Sequence, residues 1–285
     1  MNRRVRSTLT CLALLTCFWV PLAFAQELSF GYTPFLGEAE MRAEFQPLMD
    51  YLSEQVGRKV VLYIAKNYGD LRTQMEAGAV DIGSFSPAAY VDAAQGGKIK
   101  IIAQSIIGGS AFYTGVVIAR KASGIATLTD LKGKRFAFVD PKSASGYVYP
   151  RAMLVEKGVN PDAFFASTAF AGTHDKVIRA VLAGEADAGA IFEDALRIEK
   201  GKGQPTELLT ILARTDPIPH DAITVRADLE PELAAKIQKA LITMTENPSG
   251  HAVITKSTKK LSGHAASEDA NFDVVRRTAK IAGIK

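Results

Sequence analysis

From residue 26 onward, short apolar or alternating runs are interleaved with longer stretches of helical periodicity. The runs "ELSFGYTP", "VVLYIA", "AVDIGSF", "KIIAQSII", "TGVVIAR", "RFAFVD", "AGAIFED", "LLTILAR" and "DAITVRA" have the length and β-branched or aromatic content of strands. In "EMRAEFQPLMDYLSEQVG", Met41, Phe45, Leu48, Met49 and Leu52 recur at three- and four-residue steps, which is one face of a helix. Helical patterns also occur in "GDLRTQMEAG", "AAYVDAAQGG", "YPRAMLVEKGV", "HDKVIRAVLAGEAD", "PELAAKIQKALITMTEN" and "NFDVVRRTAKIAG". Gly57, Gly78, Gly96 and Gly158 fall just past such patterns, where a left-handed cap is wanted. The alternation predicts an α/β fold with mostly parallel sheets. Two stretches read as crossings between bodies: "KASGIATLTDLKGK", after "TGVVIAR", and the approach to "ITVRADLEPELAAK". They divide the chain into lobe one, residues 26–119 plus 216–285, and lobe two, residues 120–215, with a cleft between them.

The first 25 residues do not fit this pattern. Arg3, Arg4 and Arg6 precede an apolar run that ends in Ala23-Phe24-Ala25, the small-x-small pattern of a signal peptidase site. The run from Cys11 to Phe24 is short for a membrane span, which needs about 20 apolar residues. A signal peptide cleaved after Ala25 and a periplasmic protein are therefore expected. Both cysteines, Cys11 and Cys17, lie in that segment, so the exported chain has no thiol, disulfide or cysteine metal ligand. Removing three arginines and no acids lowers the formal charge from +4 to +1, which leaves no argument for nucleic acid or a membrane surface as partner.

Polar residues suited to holding an anion sit at strand-to-helix junctions. In "FVDPKSASGYVYPRAML", Ser143, Ala144, Ser145 and Gly146 open a helix. Unpaired N–H groups at a helix start bind anions, and the two hydroxyls can add donors. Pro150 removes one donor a turn later and predicts a distorted first turn. His174 follows Thr173, a plausible cap, at another such junction and can donate a ring N–H. Tyr68 and Tyr113 offer phenol donors, whereas Asp194 and Asp221 can cap backbone groups or accept from a ligand. Each of these residues, taken alone, also fits an ordinary cap or packing role. No GxSxG elbow, HExxH pair or P-loop occurs, so neither an enzyme, a metal site nor a cofactor is expected.

Taken together, these residues resemble the phosphate/phosphite/phosphonate-binding proteins of ABC importers, the PhnD-like family of type II periplasmic binding proteins. The specific stretches are "VDPKSASGYVYP", "AGTHDKVIRAVLAGEADAG" and "IPHDAITVRADL". The resemblance implies two α/β lobes joined by two hinge strands and closing on a tetrahedral oxyanion held mostly by uncharged donors. Tyr68 and Tyr113 would come from lobe one. Ser143, Ala144, Ser145, Gly146 and His174 would come from lobe two, with Asp194 or its neighbour Glu193, and Asp221, reading the rest of the ligand. Ala144 stands where one familiar version of the turn has a threonine, which costs one side-chain donor. The implied function is capture of a phosphorus oxyanion, without chemistry, by a monomer that delivers it to a membrane permease. The same fold could instead serve a sensor kinase, bind a different oxyanion, or take an organic ligand between Tyr68, Tyr113 and Phe85.

Overall fold

The computed structural model describes residues 26–284, so the expected signal peptide lies outside the described residues. Nine quoted runs form strands, and the described residues build two large sheets and a two-stranded ribbon between them. In the first, β1 (Leu28–Tyr32), β2 (Val60–Ile64) and β3 (Ile82–Phe85) are joined by α1 (Glu38–Val56) and α2 (Asp70–Glu76), followed by α3 (Pro87–Ala94) and β4 (Ile99–Ile107). The chain then runs through β5 (Phe112–Tyr113) into the second sheet: β6 (Gly115–Arg120), β7 (Arg135–Phe138), α4 (Tyr149–Glu156), α5 (Pro161–Phe164), β8 (Ser167–Phe170), α6 (His174–Ala183), β9 (Ala188–Phe192), α7 (Asp194–Gly201) and β10 (Leu209–Arg214). It returns through β11 (Ile218–Pro219) to β12 (Ala222–Arg226), α8 (Pro231–Ile242), α9 (Pro248–Lys256), β13 (Leu261–Ala266) and α10 (Asp273–Ile281). The strand orders are β13-β4-β12-β3-β1-β2 and β10-β6-β9-β7-β8.

The sheets are mixed, which corrects the expectation of mostly parallel pairing. Strands linked by helical crossovers pair in parallel: β1 with β2 and β3, and β7 with β8 and β9. Strands by which the chain arrives from, or leaves for, the other sheet pair antiparallel, as β12 does with β3 and β4, and β6 with β9 and β10. A strand entering from the far sheet has no helix on its own face to reverse it, so it runs against its neighbours. The crossing also falls earlier than expected. Residues Gly115–Ala119, assigned by sequence to lobe one, pair along β9 and β10 in the second sheet, and the stretch after Arg120 leads on to β7 of the same sheet. The two crossing segments instead pair with each other, Ile218 opposite Tyr113 and Pro219 opposite Phe112.

Local sequence explains the placement. Met41, Leu48, Met49 and Leu52 of α1 are buried with Leu28 and Phe30 of β1, and Gly57 ends the helix at φ 70°, which a side chain would resist. Phe45, on the same predicted face, is only half-buried and stacks on Tyr32 with ring centroids 4.0 Å apart at the edge of the cleft. Past α3 the positive φ belongs to Gly97, one residue beyond the expected Gly96. The C-terminal α10 packs on both α3 and α4 and so touches helices of both sheets. Phe272, just before it, is fully buried, with its ring 4.7 Å from that of Tyr90. Phe272→Ala should lower unfolding stability by about 3–5 kcal/mol, as large-to-small core changes do. Urea denaturation checks this, and a loss below about 1 kcal/mol would contradict the packing role.

Candidate functional site

The serine turn forms as a single wide turn, Ala144–Val148, with i to i+5 hydrogen bonds. Val148 N–H donates to the Ser143 carbonyl at 3.0 Å and Tyr149 N–H to that of Ala144. Pro150 accounts for part of this geometry. It has no N–H for the Gly146 carbonyl, which accepts instead from Val139 N–H at 3.2 Å. The distortion expected from sequence is thus a change of helix type ahead of α4. Ser143 Oγ accepts from Gly146 N–H at 3.1 Å, so the Gly146 amide is engaged inside the turn. A Cβ on Gly146 would lie 2.4 Å from Val139 Cγ2. Close approach of β7's continuation, and not of a ligand, is what requires glycine there.

A cavity of about 610 Å³ opens where strand ends and helix starts from both sheets meet. Of the nine residues named from sequence, Tyr68, Tyr113, Ser143, Ser145, His174, Asp194 and Asp221 line it, whereas Ala144 and Gly146 do not. Ala144 is buried against the core, so what it can offer a ligand is backbone. Phe85 is fully buried and does not line the cavity, which removes the aromatic sandwich that an organic ligand would have used.

The electrostatics follow from burial. Tyr68 is pushed well above the usual phenol value mainly by desolvation, with the Ser143 hydroxyl opposing. Tyr113 is raised the same way, the Asp221 charge adding and Ser145 opposing. Both phenols stay protonated donors. The Tyr113 ring also stacks on His220 at 4.9 Å. At His174, Nδ1 accepts from Phe192 N–H at 3.2 Å, which places the ring proton on Nε2. Burial, aided by the Lys259 charge, lowers its pKa to about 3, so the ring is a neutral donor near pH 7. The His174 backbone N–H donates to the Phe35 carbonyl of the first sheet's loop at 3.1 Å. Thr173 stands at the cap position, but its side chain makes no cap bond.

The acidic residues divide. Burial raises Asp221 to about 7, with Lys259 pulling downward. Both oxygens of Asp194 are held by Arg197, at 2.7 Å from Nε and 2.6 Å from Nη2, and although burial pushes its pKa upward, these contacts bring it below the usual carboxylate range. Glu193 lines the cavity as well, and its carboxylate pairs with Arg214 at 2.6 Å. Neither member of that pair presents a free carboxylate. Sequence reasoning missed Thr33, Ser84, Ser86, Ser105 and Thr114, a set of small hydroxyl residues on the wall. It also missed Lys259, whose "TKSTKK" context reads as a solvated charge run although the side chain is 8% exposed.

Two mixed sheets, joined by two paired crossings and enclosing a donor-lined cavity at their strand ends, define a solute-binding protein of the type II periplasmic class. The chain belongs to the family described as ABC transporter, phosphonate, periplasmic substrate-binding protein, whose model matches residues 30–272. It is 33% identical over 228 residues to the phosphate-import protein PhnD of Mycolicibacterium smegmatis, covering 75% of this chain and 71% of that one. Its fold matches a binding protein component of an ABC phosphonate transporter from Pseudomonas aeruginosa, with TM-score 0.83, 23% identity, and coverage of 90% and 86%. PhnD1 of Prochlorococcus marinus, solved in complex with methylphosphonate, matches at TM-score 0.80 and 20% identity, covering 89% of this chain and 97% of that one.

Two outcomes follow from the site geometry. Gly146→Ala should cost about 1–3 kcal/mol through overpacking against Val139, read as a lowered denaturation midpoint; an unchanged midpoint would show that the turn can relax. The raised Asp221 pKa means that between about pH 4 and pH 7 the folded protein keeps a proton the unfolded chain has released, so this group lowers stability as pH rises through that window. Asp221→Asn should therefore melt higher than the parent protein above pH 7, with the gap closing toward pH 4. Melting curves that stay parallel across this range would contradict it.

Proposed function

We propose that the cleft captures a tetrahedral phosphorus oxyanion, such as a phosphonate, phosphite or phosphate, and delivers it to the permease of an ABC importer. The observation that carries this reading is the convergence of Tyr68, Tyr113, Ser143, Ser145 and the Nε2–H tautomer of His174 on one cavity beside Asp221. Preorganised neutral donors stabilise an anion without the desolvation cost of a buried countercharge. Asp221, raised to about 7, can present a proton to a fully ionised ligand or accept one from a protonated ligand. The relatives named above for phosphate import and methylphosphonate support phosphorus as the central atom.

Ligand capture proceeds by closure of two lobes about the paired crossings, a population shift set by the ligand's differential affinity for open and closed states. The lobe boundaries are best drawn at that ribbon, one near residue 112 and the other near 218. No chemistry is performed. A histidine with pKa about 3 is a poor general base near neutral pH, and its Nδ1 is occupied by a backbone amide where a triad would place a carboxylate. Export with cleavage after Ala25, a periplasmic location and a monomeric state complete the reading.

Isothermal titration calorimetry with methylphosphonate, phosphite and phosphate tests the site. Ser145→Ala and His174→Ala should each weaken the best ligand by about 10- to 100-fold, the worth of a hydrogen bond to a charged group. Undiminished affinity in both variants would overturn the assignment.

A further inference from the structure

The polar trap occupies only part of the cavity. At about 610 Å³ the space falls within the roughly 300–1,000 Å³ of sites that enclose whole organic molecules, well above the needs of a bare tetrahedral ion. An aromatic row leads away from the trap. His174 meets Phe192 edge-on at 4.7 Å, Phe192 meets Phe35 at 6.3 Å, and the ammonium of Lys259 lies over the Phe35 ring, 4.7 Å from its centroid.

Lys259 lines the cavity, is more than nine-tenths buried, and its Nζ makes no hydrogen bond among the described residues. The nearest carboxylate oxygen is Glu40 Oε1, which pairs with the ammonium only at 3.9 Å, beyond hydrogen-bond reach, while Lys202 contacts Oε2 of the same group. Glu44 accepts from Ser257 Oγ, from Thr258 N–H and Oγ1, and from the Lys259 amide. Asp194 is bound by Arg197. Those Glu44 bonds fix the turn that carries Lys259, and the side chain is held by burial and by the Phe35 ring beneath its ammonium. A buried cation without an acceptor costs free energy that an anionic acceptor would recover.

We propose that the cleft selects organophosphonates whose arm ends in a carboxylate, with the oxyanion in the serine–tyrosine–histidine trap and the arm lying along Phe192 and Phe35 to reach Lys259 Nζ. This rests on the oxyanion reading and adds the class of arm. It also disfavours aminoalkylphosphonates, because the ammonium of such a ligand would face Lys259 while Asp194, the carboxylate that could have received it, is tied to Arg197.

Calorimetry with 3-phosphonopropionate, ethylphosphonate, 2-aminoethylphosphonate and methylphosphonate tests the arm separately from the trap. The parent protein should bind 3-phosphonopropionate about 10- to 100-fold more tightly than ethylphosphonate, and 2-aminoethylphosphonate most weakly. Lys259→Met should abolish the preference for the carboxylate, bringing the affinity ratio of 3-phosphonopropionate to ethylphosphonate down to about one, on top of any common change that loss of the charge makes to the binding of every phosphonate. Lys259→Arg, which keeps the charge, should retain most of the preference, and thermal melts of both variants check folding. Tight methylphosphonate binding with no carboxylate preference, or equal loss for every ligand in Lys259→Met, would overturn this inference and leave the oxyanion reading standing. Failure of all four to bind would overturn both.

Discussion

The two segments by which the chain passes between its sheets are hydrogen-bonded to each other, and the geometry of the cleft depends on that pairing. Ile218 lies opposite Tyr113, and the next residue on each crossing pairs as well. His220 N–H donates to the Ala111 carbonyl at 2.8 Å, and its ring stacks on Tyr113. A two-stranded ribbon of this length has little stability alone. It holds because both ends are continuous with longer strands of large sheets. The consequence is that Tyr113 and Asp221 sit at the axis about which the sheets can move, where rotation displaces them least. The serine turn and His174 lie on the second sheet's side, and Tyr68 on the first, so in the proposed reading a closed geometry is what brings the full donor set onto one ion.

Charge in the cleft is arranged by burial more than by number. Tyrosines, serines and a tautomer-fixed histidine supply donors that bring no formal charge into a poorly solvated space. Lys259 is a buried charge beside them, and its ammonium acts at a distance on two residues of the proposed trap. It helps depress His174 and opposes the upward shift of Asp221. Burial itself lowers Lys259 to about 8, with Glu40 and Glu44 acting to keep it charged. The cation therefore remains mostly protonated near neutral pH because carboxylates committed elsewhere still contribute their field. In the low effective dielectric of a cleft such fields carry further than in water.

How much of this was legible in the sequence differs between fold and site. Strand and helix alternation gave nine strands and the main helices, because hydrophobic period is a local property. It missed β8, "STAF", whose residues are all exposed on a sheet edge, β13, where "LSGHAA" has no apolar run, and the two-residue strands β5 and β11, which are too short to show a period. Pairing direction was not legible, since it depends on which sheet the chain has just left. Most of the cavity-lining positions named from sequence were visible as polar residues at junctions, and the missing N–H of Pro150 announced the altered turn. Lys259 was invisible because its burial depends on Glu44, 215 positions upstream, folding the "STKK" turn onto the cleft. The need for glycine at 146 comes from Val139, a contact no local pattern encodes.

Closure has a component that no ligand supplies. Ser86 Oγ donates to the Lys142 carbonyl at 3.1 Å, and His174 N–H to that of Phe35, each joining an element of the first sheet to one of the second. At about 0.5–1.5 kcal/mol net per neutral hydrogen bond, the two together offset a modest part of the cost of bringing the bodies together. Both are backbone-directed and indifferent to what occupies the cavity, so they favour closure equally for every ligand. Discrimination must then come from groups that a wrong ligand leaves unsatisfied, because specificity is a difference between ligands and common terms cancel. In this cleft those groups are few. The Asp221 carboxyl can match its proton to the oxyanion, and the Lys259 ammonium makes no hydrogen bond among the described residues, its ion pair with Glu40 being stretched to 3.9 Å. In the proposed reading, a ligand that answers only the trap leaves the second unmet, which would make the far end of the cavity, and not the serine turn, the place where related oxyanions are told apart.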